Sequence, residues 1–78
     1  MPKRTQHENE ILKQFGVQLR QARIQYGFTQ EELAVKAGFS RSYYTEIETG
    51  KRNISLLNMT KLADCLGISL SNLLGEGS

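Results

Sequence analysis

The segment Arg41 to Asn53, RSYYTEIETGKRN, gathers the side chains best able to hydrogen-bond a partner. On a helix, successive residues turn by about 100°. With Tyr44 turned inward, Ile47 and Glu48 fall within about 60° of it, and Ser42, Thr45, Glu46 and Thr49 face away. Arg41 and Tyr43 lie on the flanks. The outward stripe holds no large apolar residue, so it does not resemble a greasy protein-docking face with Leu or Phe anchors. Its groups suit base edges instead: arginine for guanine, hydroxyls for several bases, a carboxylate for the cytosine amino group. An ordinary solvated helix face can have the same composition, so the surroundings decide.

Lys51, Arg52 and Asn53 follow at the C-terminal end of this helix. Thr29 and Gln30 open the preceding helix, whose free amides and positive dipole end suit a phosphate. Lys36 and Arg20 add charge nearby. A polar face between phosphate-holding groups is what docking in the major groove of double-stranded DNA requires, backbone contacts positioning and side chains specifying. With Ser40 and Tyr43 at the start of the helix, the expected DNA-binding set is Thr29, Gln30, Ser40, Arg41, Ser42, Tyr43, Thr45, Glu46, Lys51 and Arg52.

Glu48 stands apart because its position turns a carboxylate inward, which is costly unless the charge is paired and hydrogen-bonded. Arg23, late in the first helix, is the best-placed partner, and a bidentate pair would tie helix one to helix three. The other outcome is that Glu48 snorkels to water.

These side chains need a frame, and glycine supplies its punctuation. Gly27, Gly38, Gly50, Gly67 and Gly75 each follow a helix-like segment, and Thr29, Ser40, Ser55 and Ser69 sit where a hydroxyl can cap the next one. Thr29 to Glu32 also fits a capping box. The result is five helices, at 9–26, 30–37, 41–49, 56–66 and 70–74, with no strand-like alternation: an all-α fold. Leu12, Phe15, Leu19 and Ala22 form one buried stripe; Leu56 or Leu57, Met59, Leu62, Ala63 and Leu66 form another. Gly16 falls mid-helix at a cost of about 1 kcal/mol, which close approach of a neighbouring helix would explain. Helices two and three make a helix-turn-helix candidate. They would cross at Ala34 and turn at Gly38, with Leu33, Ala37, Phe39, Tyr44 and Ile47 filling the wedge.

A chain of 78 residues is one domain, here 8–75, preceded by a flexible arm 1–7 and followed by a tail 76–78. Lys3 and Arg4 in that arm either reach a phosphate or minor groove or are simply disordered. The net charge of +2 and a pI near 8.9 are only mildly basic, so placement of charge matters more than its sum. Cys65 is the lone cysteine and His7 the lone histidine. That leaves no disulfide, no metal site, no cofactor and no catalytic constellation to expect. A buried lone thiol, no signal segment and no apolar run near the roughly 20 residues of a membrane span point to the cytoplasm.

The run RIQYGFTQEELAVKAGFSRSYYTEIETGKRNISLLNMTKLADCLGISLSNLL resembles the lambda-repressor-like (XRE) helix-turn-helix domain. The resemblance spans about Phe15 to Leu74 and rests on Arg23, Thr29 to Ala34, Ala37-Gly38, Ile47 to Gly50 and Leu66 to Leu74. It implies a compact five-helix bundle that binds a palindromic operator as a homodimer and is not an enzyme. By the same resemblance Gln30 braces phosphate and the recognition helix, and Arg41, Ser42 and Glu46 face bases. Lys51 and Arg52 hold the DNA backbone, and Arg23 with Glu48 forms a structural ion pair. GFSRSYYTEIETGKRNISL is further similar to the controller proteins of restriction–modification systems, although Thr49-Gly50-Lys51 departs from the charged pair many of them carry there. Phage-type repressors and antitoxins share much of the pattern. A helical protein-interaction module is the reading from a different class.

One recognition helix covers too few base pairs, and a dimer sets two of them about 34 Å apart along one face of the DNA. Ile68, Leu70, Leu73 and Leu74, joined by Leu57, are the candidates for the dimer face; the alternative for each is closure of the monomer core. No small-molecule effector is expected.

Overall fold

A hydroxyl side chain opens every helix. In the computed structural model, which describes residues 3–75, α1 spans Gln6–Gln25, α2 Gln30–Ala37, α3 Arg41–Glu48, α4 Leu56–Leu66 and α5 Leu70–Leu73. There is no strand among the described residues. Thr5, Thr29, Ser40, Ser55 and Ser69 are the N-caps, each side chain accepting from the amide three residues on. Each such cap stabilises its helix by about 1 kcal/mol. The all-α class and four of these caps agree with the sequence reading.

The start of α1 corrects it. The helix expected from residue 9 begins at Gln6, because Thr5 and Glu8 form a reciprocal capping box: Thr5 N donates to Glu8 Oε1 at 2.7 Å and Glu8 N to Thr5 Oγ1 at 3.1 Å. The arm assigned to 1–7 therefore shrinks, among the described residues, to Lys3–Thr5. Arg4 within it reaches back to the Lys51 carbonyl at 3.4 Å. The tail 76–78 lies outside the described residues. α1, α3 and α5 each stop one residue earlier than expected, at C-caps Tyr26, Thr49 and Leu74.

Packing follows the apolar stripes. Phe15 and Leu19 of α1, Leu33 and Ala34 of α2, Tyr44 and Ile47 of α3, Leu62, Ala63 and Leu66 of α4 and Leu73 of α5 form one core, with Ala37, Phe39 and Met59 packed against it. Ala34 is small enough to let α2 and α3 approach, and Gly38, at φ 77°, turns the chain between them without the strain a Cβ would add. α1 lies across α3 so closely that a Cβ on Gly16 would collide with the Glu48 carbonyl oxygen and sit 2.8 Å from that of Ile47. The glycine that costs α1 helix propensity is what lets α1 hold α3. α4 packs on α2, and α5 closes the bundle against α4 and α1.

Three leucines are placed differently from expectation. Leu56 and Leu57 are 67% and 66% exposed, so neither begins the buried stripe of α4, which starts at Met59. Their turn carries the Ser55 cap and projects beyond the core. Leu73, offered to a dimer face, is 1% exposed and belongs to the monomer core. Cys65 is half-buried against that core. No helix among the described residues is long and apolar enough to cross a membrane.

Candidate nucleic-acid interface

The orientation of α3 is set by one buried carboxylate. Glu48 Oε2 accepts from Arg23 Nε at 2.7 Å and from the Tyr44 hydroxyl at 2.6 Å, while Oε1 accepts from Gln30 Nε2 at 3.0 Å. Three helices thus meet on one side chain. The expected ion pair is present, with side chains 11% and 2% exposed, but it is not the bidentate fork expected of it. Arg23 turns its Nη1 instead to the Phe28 carbonyl at 2.8 Å, so the same guanidinium also fixes the turn between α1 and α2.

Burial alone would raise the Glu48 carboxyl, but the hydrogen bonds from Arg23, Tyr44 and Gln30 outweigh it and hold the group below the ordinary glutamate value. The bond to Glu48 raises Arg23, and burial, reinforced by Glu48, pushes the Tyr44 hydroxyl up. The charged pair is therefore the resting state. Sequence reasoning placed Tyr44 in the core without a partner for its hydroxyl; the i, i+4 spacing to Glu48 was the available signal.

The outward face of α3 is polar, as its spacing implied. Arg41, Ser42 and Thr49 are exposed, and Thr45 and Glu46 half-buried. Thr45 donates to the Arg41 and Ser42 carbonyls at 3.0 and 3.1 Å, leaving its oxygen lone pairs to accept from outside. The Thr29 and Ser40 hydroxyls accept the amides of Glu32 and Tyr43 as caps. The returning bond from the Thr29 amide holds the Glu32 carboxyl below its usual range.

Tyr43 and Arg52 have roles that the sequence did not disclose. The Tyr43 ring meets Phe39 edge-on at 5.1 Å, and its hydroxyl accepts from Asn58 Nδ2 at 3.0 Å, pinning α3 to α4. Arg52 lies over that ring, its guanidinium carbon 5.2 Å from the ring centre, and donates to Glu46 Oε1 at 3.2 Å. A contact between side chains six residues apart across a helix end lies outside the i, i+4 rule, so helical spacing could not signal it.

The positive groups flank this face. Lys51 is exposed beyond the C-terminal end of α3. At the other end Arg20 and Arg41 line an open cleft with Arg23, Thr29 and Gln30 at the start of α2. Lys36 sits over the Phe28 ring at 5.1 Å. Among the apolar candidates for self-association, Leu57 and Leu74 are exposed, and Ile68 and Leu70 are half-buried against the core. No group of His, Cys, Asp and Glu able to hold a metal occurs among the described residues.

Comparison with known proteins matches residues 19–73 to the helix-turn-helix family model. The control protein C.MunI of a Mycoplasma species is 41% identical over 69 residues, covering 87% of this chain and 93% of that protein. The control protein C.BamHI of Bacillus amyloliquefaciens is 39% identical over 67 residues, covering 85% and 83%. The crystal structure of the restriction–modification controller protein C.AhdI from Aeromonas hydrophila superposes with a TM-score of 0.77 at 45% identity, covering 80% of this chain and 94% of that one.

Proposed function

The chain belongs to the helix-turn-helix family of transcriptional regulators, and from that premise we propose that it binds a palindromic operator as a homodimer, with α3 in the major groove, as a controller of a restriction–modification system. The observation that carries this reading is the polar outward face of α3, held in a fixed pose by the Glu48 hub and flanked by cationic groups. Side chains that read bases must be presented by a rigid element, and three helices converge to hold this one. Arg41 and Ser42, at its N-terminal end, reach base edges; Thr45 and Glu46 read further along the groove; Lys51 and the start of α2 at Thr29 and Gln30 grip phosphates.

α3 has 8 residues. At 1.5 Å per residue that is about 12 Å of reading length, a few base pairs at most. A second copy doubles the site, and Leu57, Ile68, Leu70 and Leu74 are the side chains available to join the copies. Regulation then follows concentration through dimerisation, in the cytoplasm and without a small-molecule effector. The controller assignment is supported by the control proteins C.MunI and C.BamHI, which match over most of their length.

The test begins by selecting a duplex from a random pool with the purified chain. Arg41→Ala then costs about 1–3 kcal/mol on the selected duplex and relaxes preference at the bases it faces. Lys51→Ala weakens all duplexes alike and lowers the salt slope by about 1. Unchanged selectivity in Arg41→Ala would remove that residue from base reading. A chain that selects no duplex but retains a protein partner would instead be an interaction module.

A further inference from the structure

Glu46 places a carboxylate on the face assigned to the major groove, where the phosphates of DNA make the potential strongly negative. Arg52 covers it. The Tyr43 ring beneath Arg52 is a fixed platform, backed by Phe39 at 5.1 Å and anchored by Asn58 at 3.0 Å. From that platform Nη2 of Arg52 reaches Glu46 Oε1 at 3.2 Å, and the side chains of the pair are 52% and 41% exposed. So exposed a pair is weak enough to exchange one anionic partner for another. An arginine resting on an aromatic face can swing its donors to a phosphate without leaving the ring.

Resting on the DNA-binding reading and deepening it, we propose that Arg52 is an exchangeable cover over the Glu46 carboxylate, a device that determines specificity. On DNA of the wrong sequence the cover stays closed: Glu46 is neutralised, touches no base and does not repel the duplex. A base pair that presents an exocyclic amino group, cytosine N4 above all, gives Glu46 a better partner. Glu46 then accepts from that amino group, and Arg52 transfers to the adjacent phosphate while keeping its place on Tyr43. Selectivity at this position is the difference between an uncovered carboxylate that finds a donor and one that does not.

A double-mutant cycle tests this. Wild type, Glu46→Gln, Arg52→Ala and the double variant are titrated at low salt against the duplex selected by wild type and against its scrambled counterpart. Thermal melts confirm that all four are folded. On the scrambled duplex the two substitutions are coupled: Arg52→Ala weakens wild type about threefold more than it weakens Glu46→Gln, because only wild type is left with a bare carboxylate. On the selected duplex the coupling reverses sign, because binding there breaks the pair that the free chain holds, and Arg52→Ala weakens wild type less than it weakens Glu46→Gln. Glu46→Gln also lowers the preference for the selected duplex by about tenfold. Equal coupling on both duplexes would mean a static clamp, and no coupling on either an incidental surface contact; each overturns the exchange. If wild type binds no duplex at all, the DNA-binding reading falls with it. Binding with the wrong coupling pattern removes the cover alone.

Discussion

Glu48→Ala lowers the melting temperature of this chain by roughly 15 °C, the equivalent of about 3 kcal/mol in a domain of this size. The loss exceeds that of an ordinary buried residue because three donors lose their acceptor together. Arg23, Tyr44 and Gln30 all point at the two carboxylate oxygens. Arg23 keeps the Phe28 carbonyl but is left as a buried cation with no counter-charge. Glu48→Gln retains an acceptor for part of this set and loses less. A melting temperature within about 2 °C of the parent in Glu48→Ala would show that the hub does not hold α3.

The same group gives a pH signature. The folded Glu48 carboxyl lies below its unfolded value, so its contribution to stability is fully present above about pH 4.3, the ordinary glutamate value. It is lost as pH falls from there through the depressed folded value, where the native state must take up the proton it has resisted. The parent therefore loses stability more steeply than Glu48→Gln over that acid interval. Parallel acid profiles for the two would place the carboxylate outside the linkage.

Gly16→Ala destabilises by about 2 kcal/mol or more, against the usual sign of a glycine-to-alanine change inside a helix. Alanine would ordinarily add about 1 kcal/mol to α1. Here its methyl would meet carbonyl oxygens of α3, Glu48 directly and Ile47 at 2.8 Å, and backbone oxygens at a helix end cannot rotate aside as a side chain can. α1 must lift away, drawing Arg23 from Glu48. The expected result is a melting temperature lower by about 10 °C together with weaker binding of the selected duplex. Gln14→Ala, on the exposed side of the same helix, serves as the control. A Gly16→Ala chain as stable as the parent would contradict the close crossing of α1 over α3.

The sequence disclosed most where geometry is regular. A turn of about 100° per residue separates Tyr44 from Tyr43 and sends Glu48 inward, and Arg23 follows as its partner because α1 must cover α3. Hydroxyl residues ahead of apolar stripes mark helix starts by a local chemical need, so they could be read without tertiary information. Thr5 and Glu8 carry the same signature as Thr29 and Glu32, but no apolar stripe follows closely enough to point to them. The leucines were less legible: hydrophobicity makes Leu56, Leu57 and Leu73 equal candidates for the core, and only the packed structure shows two projecting and one enclosed. Arg52 was the least legible, because a long side chain beyond a helix end can choose among several partners. Its place over Tyr43 depends on Phe39 and Asn58 having fixed that ring.

The most direct measurement follows the backbone amide signals of isotopically labelled chain as the selected duplex is added at low and then moderate ionic strength. Saturable changes concentrated at residues 29–31 and 41–53, weakening as salt rises, are the expected result for α3 in the groove with phosphates gripped at either end. Signals from 41–53 that stay fixed for every duplex, even at low ionic strength, would contradict it.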